Sequence, residues 1–183
     1  MHRVMAELHQ DHVHLARLLD LLDEQVSLVS SDGDPDFFLM IDIAHFIHNY
    51  PDLVHHPKED QVYRVFKARA EKWADVVNAL LAEHQSIPAV TTEFSSMLEA
   101  AVNGSSIIGR NELKQKIQDF IDIQREHMEK EEKTIFPLIE KNLNEQDWAD
   151  VESGLVKADD PLFGDKVEAC YDNLYQLIKY ESD

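Results

Sequence analysis

The segment HHPKED at residues 55–60 has a counterpart 72 positions later, HMEKEE at residues 127–132. In both segments a histidine is followed four residues later by a glutamate. The pairs are His55 with Glu59 and His127 with Glu131. Side chains four residues apart lie on one face of a helix, so each pair can aim an imidazole nitrogen and a carboxylate at one point. The repeat therefore predicts the same ligand set built twice on helices, which is typical of a two-metal site.

A further histidine precedes each motif by 43 residues, at His12 and His84. His12 fills the slot between Leu8 and Leu15 in an apolar stripe with helical spacing, and His84 fills a similar slot in a later stripe. Both histidines should therefore point at the core. The sequence predicts six metal ligands on four helices. They are His12, His55, Glu59, His84, His127 and Glu131.

Apolar residues recur at helical spacing in four long stretches, and glycine is scarce, with five residues in the chain. This pattern predicts an all-α protein with a four-helix bundle over residues 1–143. Residues 144–183 are expected to form a C-terminal extension of short helices packed on the same domain. Four prolines interrupt the helical patterns, at Pro51, Pro57, Pro88 and Pro137. Each deletes a backbone hydrogen bond, so kinks or widened turns are expected there.

The formal net charge of −19 would repel phosphate backbones and anionic lipid surfaces. The composition therefore argues against nucleic acid and membranes as partners, and it identifies no protein partner. Cys170 is the single cysteine, which excludes an internal disulfide. No stretch approaches the roughly 18 apolar residues of a membrane span, and the N-terminus lacks the apolar core of a signal peptide. A cytoplasmic location is expected.

Four imidazoles and two carboxylates without a thiolate favour iron, manganese or catalytic zinc over copper(I) and structural zinc. If both carboxylates bridge, each metal receives two nitrogens and two oxygens, which leaves room for a solvent bridge and an added ligand. Two carboxylate bridges favour a dinuclear iron centre. The alternative is a polar network that only stabilises the bundle. That network would bury two carboxylates with no Lys or Arg on the same inward face, at a cost of several kcal/mol.

The remaining histidines and acids near the motifs have different expectations. His56 points about 100° away from His55 on a regular helix, which disfavours ligation, but Pro57 can distort the backbone and keeps the question open. Lining or supporting roles are expected for His45 and His48, and surface positions for His2, His9 and His14. Asp60 and Glu132 are expected to be solvated, although either can hydrogen-bond a ligand histidine.

Taken together, these motifs resemble the hemerythrin-like, or HHE cation-binding, family. The resemblance covers roughly residues 1–143 and rests on His12, the segment HHPKE at 55–59, His84 and the segment HMEKEEKTIFP at 127–137. It implies an up-down-up-down four-helix bundle. It also implies a non-haem centre of two iron ions, bridged by carboxylates and an oxo or hydroxo group, that binds O₂, NO or peroxide.

One position departs from the oxygen-carrying hemerythrins, which have a His-x-x-x-His motif on the third helix. Here Pro88 stands four residues after His84, so one imidazole is missing. The loss should open a coordination position, expose the centre and disfavour simple reversible oxygen carriage. A binding or sensing role is therefore preferred. The alternatives are a redox enzyme, with peroxidase- or catalase-like activity or repair of iron centres, and an iron-responsive regulatory module.

Overall fold

The computed structural model describes residues 1–156, 158–164 and 166–180, and every regular element within these ranges is helical. The all-α prediction is therefore confirmed. The first part of the chain contains α1 (Arg3–Ser30), α2 (Phe37–Asn49), a π turn at Pro51–His55, α3 (His56–Arg69) and a 3₁₀ turn at Glu71–Trp73. The second part contains α4 (Ala74–Val102), α5 (Arg110–Lys130), a second π turn at Glu131–Ile135 and α6 (Phe136–Asn142). The C-terminal part contains α7 (Glu145–Gly154), a 3₁₀ turn at Ala169–Tyr171 and α8 (Asp172–Tyr180).

The two π turns are the widened turns that the prolines predict. In the first, the backbone N–H of His55 bonds to the carbonyl of Tyr50, five residues earlier, at 3.1 Å. Pro51 begins this turn, and Pro137 lies two residues beyond the second. Proline cannot donate the ordinary helical hydrogen bond, so an inserted residue absorbs the break. By contrast, α4 continues through Pro88 without a change of helix type.

Helix boundaries follow local side-chain chemistry. Asp36 caps α2, because its Oδ1 accepts a hydrogen bond from the N–H of Leu39 at 3.0 Å. Asn144 begins α7 as a capping box with Asp147. Just beyond α4, Gly104 has a φ of +68°, a conformation that glycine adopts without steric cost. The helices on either side of this loop, α4 and α5, lie side by side.

Buried apolar residues form two clusters. The first cluster comprises α1 from Leu15 onward, α2, the C-terminal half of α4 and most of α5. The second cluster comprises the start of α1 as far as Leu8, together with α3, the start of α4, α6 and α7. His12 lies between the two clusters along α1, and the other predicted ligands lie at or near the boundary between the clusters on their own segments. The polar residues therefore form one layer across the middle of the molecule.

The C-terminal residues contribute to both clusters. Trp148 and Val151 of α7 are buried in the second, and α7 packs on α3. Leu162, Tyr171 and Leu174 are buried in the first, and α8 packs on α2. Within the described ranges, none of the helices has the length and apolarity needed to cross a bilayer.

Candidate metal centre

The structure brings all six predicted ligand residues into the polar layer. Each is at most 5 % exposed, and the two glutamates are fully buried. The expectation of an exposed centre is therefore wrong, because the apolar clusters close over the layer from both sides. The four histidines form two pairs, and the two glutamates lie between them. We call His12 and His55 the first half, and His84 and His127 the second half.

The imidazoles of the two halves have the same arrangement. Nε2 of His12 lies 3.1 Å from Nε2 of His55, and Nε2 of His84 lies 3.1 Å from Nε2 of His127. The ring centroids are 4.9 Å apart in both pairs. Each half thus directs two ring nitrogens at one point, which is how two imidazoles would share a cation.

The two glutamates lie between the halves. Glu59 places Oε1 3.3 Å from Nε2 of His55 and Oε2 3.4 Å from Nε2 of His84. Glu131 places Oε2 3.3 Å from Nε2 of His12 and Oε1 3.2 Å from Nε2 of His84. Each carboxylate therefore turns one oxygen toward each half, as a carboxylate does when it bridges two cations.

The outward-facing nitrogen of each histidine also has a carboxylate partner. The Nδ1 distances are 2.8 Å from His12 to Glu132, 3.0 Å from His55 to Asp11, 2.6 Å from His84 to Asp60 and 2.9 Å from His127 to Glu83. A carboxylate at Nδ1 fixes the tautomer and leaves Nε2 free to bind a metal. Asp60 and Glu132 remain partly exposed, and the expected alternative, a hydrogen bond from each to a predicted ligand histidine, is confirmed.

Sequence reasoning missed the other two carboxylates, Asp11 and Glu83. They too are 72 positions apart, as are Asp60 and Glu132, so the repeat itself carried the signal. The repeat also includes the lysines that contact these two carboxylates. Nζ of Lys58 lies 3.6 Å from Asp11, and Nζ of Lys130 lies 2.7 Å from Glu83. The paired lysines thus neutralise carboxylates that hold histidines, rather than the two buried glutamates.

His56 is also buried in this layer. Its ring stacks on that of His84 with centroids 4.4 Å apart, and one ring nitrogen lies within 4.8 Å of ligand atoms of Glu59, His84 and His127. Nδ1 faces the buried carboxylate of Asp52 at 3.5 Å. Burial, and then the neighbouring His84, lower the pKa of His56 well below its usual value, so the ring is neutral. His56 itself has regular α-helical dihedral angles, φ −57° and ψ −43°, and the irregular backbone is the π turn that ends at His55.

The remaining histidines lie outside the layer. His45 is exposed and pairs with Glu99 at 2.8 Å, so its expected supporting role is wrong. His48 is partly exposed, with Nδ1 3.7 Å from Asp52. His9 is exposed and donates to Glu132, and His14 stacks on a phenylalanine of the C-terminal segment. His2 stacks on the indole of α7. None of the five offers a nitrogen to the six ligand residues in the contacts that the described part of the chain makes.

Tyr63 was not identified from the sequence, because it continues an apolar stripe with Val62 and Phe66. Its hydroxyl donates a hydrogen bond to Oε1 of Glu131 at 2.7 Å, and the side chain is fully buried. Burial, and then the charge of Glu131, raise the pKa of Tyr63 well above its usual value. The residue therefore remains a phenol and a hydrogen-bond donor to one of the two central carboxylates.

The charges of the layer fit a bound cation. Within the described part of the chain, both oxygens of Glu59 and Oε2 of Glu131 are buried without a hydrogen-bond partner. Burial lowers the pKa of His12, but the nearby carboxylates of Glu131 and Glu132 outweigh it and raise the pKa to about 10. Protons on imidazoles and a metal cation are thus alternative ways to neutralise the same carboxylates. Neutral imidazole with carboxylate oxygen is a donor set that suits iron.

A small void of about 10 Å³ adjoins His12 and His55 of the first half. Its lining includes Tyr50 and Asp160, and the same two residues also line a surface cavity of about 480 Å³. Asp160 belongs to the segment that precedes α8 and lies 3.7 Å from Nδ1 of His14. Through Asp160, the C-terminal segment therefore contributes to the lining of both the void and the surface cavity.

Comparison with known proteins agrees with this geometry. A family model described as the hemerythrin HHE cation binding domain matches residues 3–139, a range that contains all six predicted ligand residues. Neither the search of curated proteins nor that of solved structures gave a match. Because the family model covers most of the chain, the protein belongs to the hemerythrin HHE cation-binding domain family.

Proposed function

We propose that the protein is a non-haem di-iron protein that binds or senses O₂ or a related small molecule such as NO or peroxide. The observation that carries the proposal is that Glu59 and Glu131 each turn one oxygen toward each pair of histidines. The six proposed ligands are His12, His55, Glu59, His84, His127 and Glu131. Iron held by these groups would supply a redox-active site for a small diatomic or peroxide ligand.

We infer that the bundle has the up-down-up-down arrangement. Along α1 the chain passes from the second apolar cluster to the first, and along α2 and α3 it returns to the second. It makes the same two passages again in α4 and in α5 with α6. Four stretches that alternate in this way support four antiparallel helices, two of them interrupted. The burial of Trp148, Leu162 and Tyr171 supports the proposal that residues 144–183 belong to the same domain.

The side chains around the ligands have three roles in this proposal. The four carboxylates at Nδ1 orient the imidazoles and raise their basicity toward the metal. Tyr63 holds one oxygen of Glu131 through its hydrogen bond. The apolar clusters exclude bulk water, which strengthens the electrostatic interactions inside the layer. A cytoplasmic location is also proposed, since free thiols such as Cys170 are typical of reducing compartments.

The proposal is tested by measuring iron per chain in protein purified without oxygen and recording the visible spectrum before and after air is admitted. About two irons per chain and a new absorption band, stoichiometric with the protein, are expected from a filled dinuclear site. Little iron and no spectral change in a protein with an intact helical fold would overturn it. Catalytic consumption of added peroxide would instead replace the binding role with an enzymatic one.

A further inference from the structure

We propose that His56 is a fifth imidazole ligand, bound to the metal of the second half and held in place by Asp52, so that the two metal positions are unequal. This inference rests on the di-iron function proposed above. It adds a ligand that the 72-residue repeat does not contain, because the position equivalent to His56 is Met128.

The position of His56 favours ligation over a packing role. The side chain is 4 % exposed, and its ring stacks almost parallel to that of His84, with an interplanar angle of 15°. Its ring also meets that of His127 edge-on, at a centroid distance of 5.4 Å. Since Nδ1 faces Asp52, Nε2 is the nitrogen left for the second half. His56 therefore approaches the same point as two proposed ligands.

The backbone explains how neighbouring histidines serve different metals. Adjacent side chains on a helix point about 100° apart, so they cannot aim at one point. They can, however, face two different metal positions, one on each side of the helix that carries them. His55 ends the first π turn and faces the first half, and His56 begins α3 and faces the second.

A carboxylate also faces Nδ1 of His56, as one does in the other four imidazoles, but at a longer distance. Oδ1 of Asp52 lies 3.5 Å from Nδ1 of His56, and among the described residues neither atom has a hydrogen-bond partner. The Asp52 side chain is fully buried at the start of the π turn, where a carboxylate is costly unless a polar group faces it. In the repeat, its equivalent is the buried amide of Gln124. The pair of His56 and Asp52 is therefore present in one copy only.

The proposal gives the two halves different numbers of imidazole ligands. The second half would have three imidazoles, from His56, His84 and His127, and the first half would have two. The imidazole that Pro88 removes from α4 is thus supplied from α3, and the position left open moves to the first half. A metal with three imidazoles should be held more tightly than one with two.

The test is an anaerobic titration of the metal-free protein with iron(II) against a competing chelator. The wild-type chain is expected to bind two irons with unequal affinities. His56→Met, which copies the repeat position, should weaken the tighter site at least 10- to 100-fold and leave the weaker one unchanged. Asp52→Gln, which copies Gln124, should act in the same direction with a smaller effect. Met128→Leu is the matched control and should change neither affinity.

A second readout is the Mössbauer spectrum of protein loaded with ⁵⁷Fe(II). Two distinct quadrupole doublets of equal area are expected from the wild type, and they should converge in His56→Met. If His56→Met binds two irons with both affinities and both doublets unchanged, the inference is overturned while the di-iron function stands. If the wild type binds no iron, both fail together. Should His56→Met lose its helical circular dichroism, Asp52→Gln decides the question by the same two measurements.

Discussion

The first and second halves of the metal centre can be compared residue by residue. His12 and Glu132 in one correspond to His84 and Asp60 in the other, and the Nε2 atoms of each histidine pair are 3.1 Å apart. The two copies of the repeat differ at several positions close to these residues. The first copy of the repeat contains His56 and Asp52. The equivalent positions in the second copy are Met128 and Gln124.

The backbone differs between the copies as well. In the first, the π turn at Pro51–His55 comes before Glu59, whereas in the second the π turn at Glu131–Ile135 begins at the equivalent glutamate. The segment equivalent to the first π turn lies within the regular helix α5. A repeated ligand pattern therefore does not imply two equal metal positions. Under the proposal for His56, the additional ligand follows the π turn that the first copy has at this place and the second copy lacks.

The largest expected effect is loss of iron from both halves in a single variant. Glu131→Ala removes one oxygen from each half, so most of the iron at both positions should be lost. His12→Ala removes a nitrogen from the first half alone and should leave the second half filled. Metal analysis of both variants after anaerobic loading measures this. Full iron retention in both variants would contradict the ligand assignment.

The next largest effect tests whether the two halves have different numbers of imidazole ligands. His12→Ala leaves one imidazole in the first half, whereas His84→Ala leaves His127 and the proposed ligand His56 in the second. We therefore expect greater iron loss from His12→Ala than from His84→Ala. The same metal analysis compares the two variants. Equal losses would mean that the halves have equal numbers of imidazoles.

A smaller effect is expected from the carboxylates at Nδ1. Glu132→Gln should weaken iron binding at the first half by about 10- to 100-fold, and Asp60→Asn should do so at the second, because the imidazoles lose their orienting partners. Chelator competition measures each affinity. Glu129→Gln, a surface change one turn before Lys133, is the control and should have no effect. An equal loss at both sites from either variant would contradict the pairing.

The smallest effect concerns Tyr63, whose repeat position is Ile135. Tyr63→Phe should keep both irons but remove the bond to Glu131, lowering the free energy of unfolding of the metal-free protein by about 1.5–3 kcal/mol. Urea denaturation measures this change. Tyr50→Phe is the comparison, because its 3.3 Å bond to Asp11 is longer and only partly buried, and it should cost less. Loss of iron from Tyr63→Phe would show that the phenol does more than position a carboxylate.

Much of the centre could be predicted from the sequence, since helical periodicity specifies which side chains face inward. This logic found Glu59 and Glu131 on one layer although they are far apart in the chain. It was less informative at two buried positions on α3. The 100° offset from His55 argued against His56 at the same metal position and left its role open, and the structure buries the side chain in the layer. Tyr63 was missed because a phenol on an apolar stripe has the same periodicity as a core residue.

The carboxylates at Nδ1 were harder to predict for a different reason. Asp11 and Asp60 stand next to ligands in sequence, but each bonds a histidine on another helix. Such a contact depends on the packing of two helices, which one-dimensional spacing does not contain. The chain also has many exposed acidic residues, and the sequence does not distinguish them from the few that bond a histidine. The 72-residue spacing of these acids was the available signal.

The small void beside His12 and His55 has a kinetic consequence. Its volume of about 10 Å³ is close to what one water molecule requires, and Asp160 lies on its lining. A diatomic ligand is larger, so it can pass through this void only while the lining side chains are displaced. For a ligand that takes this route, we expect the association rate to depend on how often those side chains move aside. Discrimination among small ligands would then arise from their speed of arrival rather than from the strength of their binding.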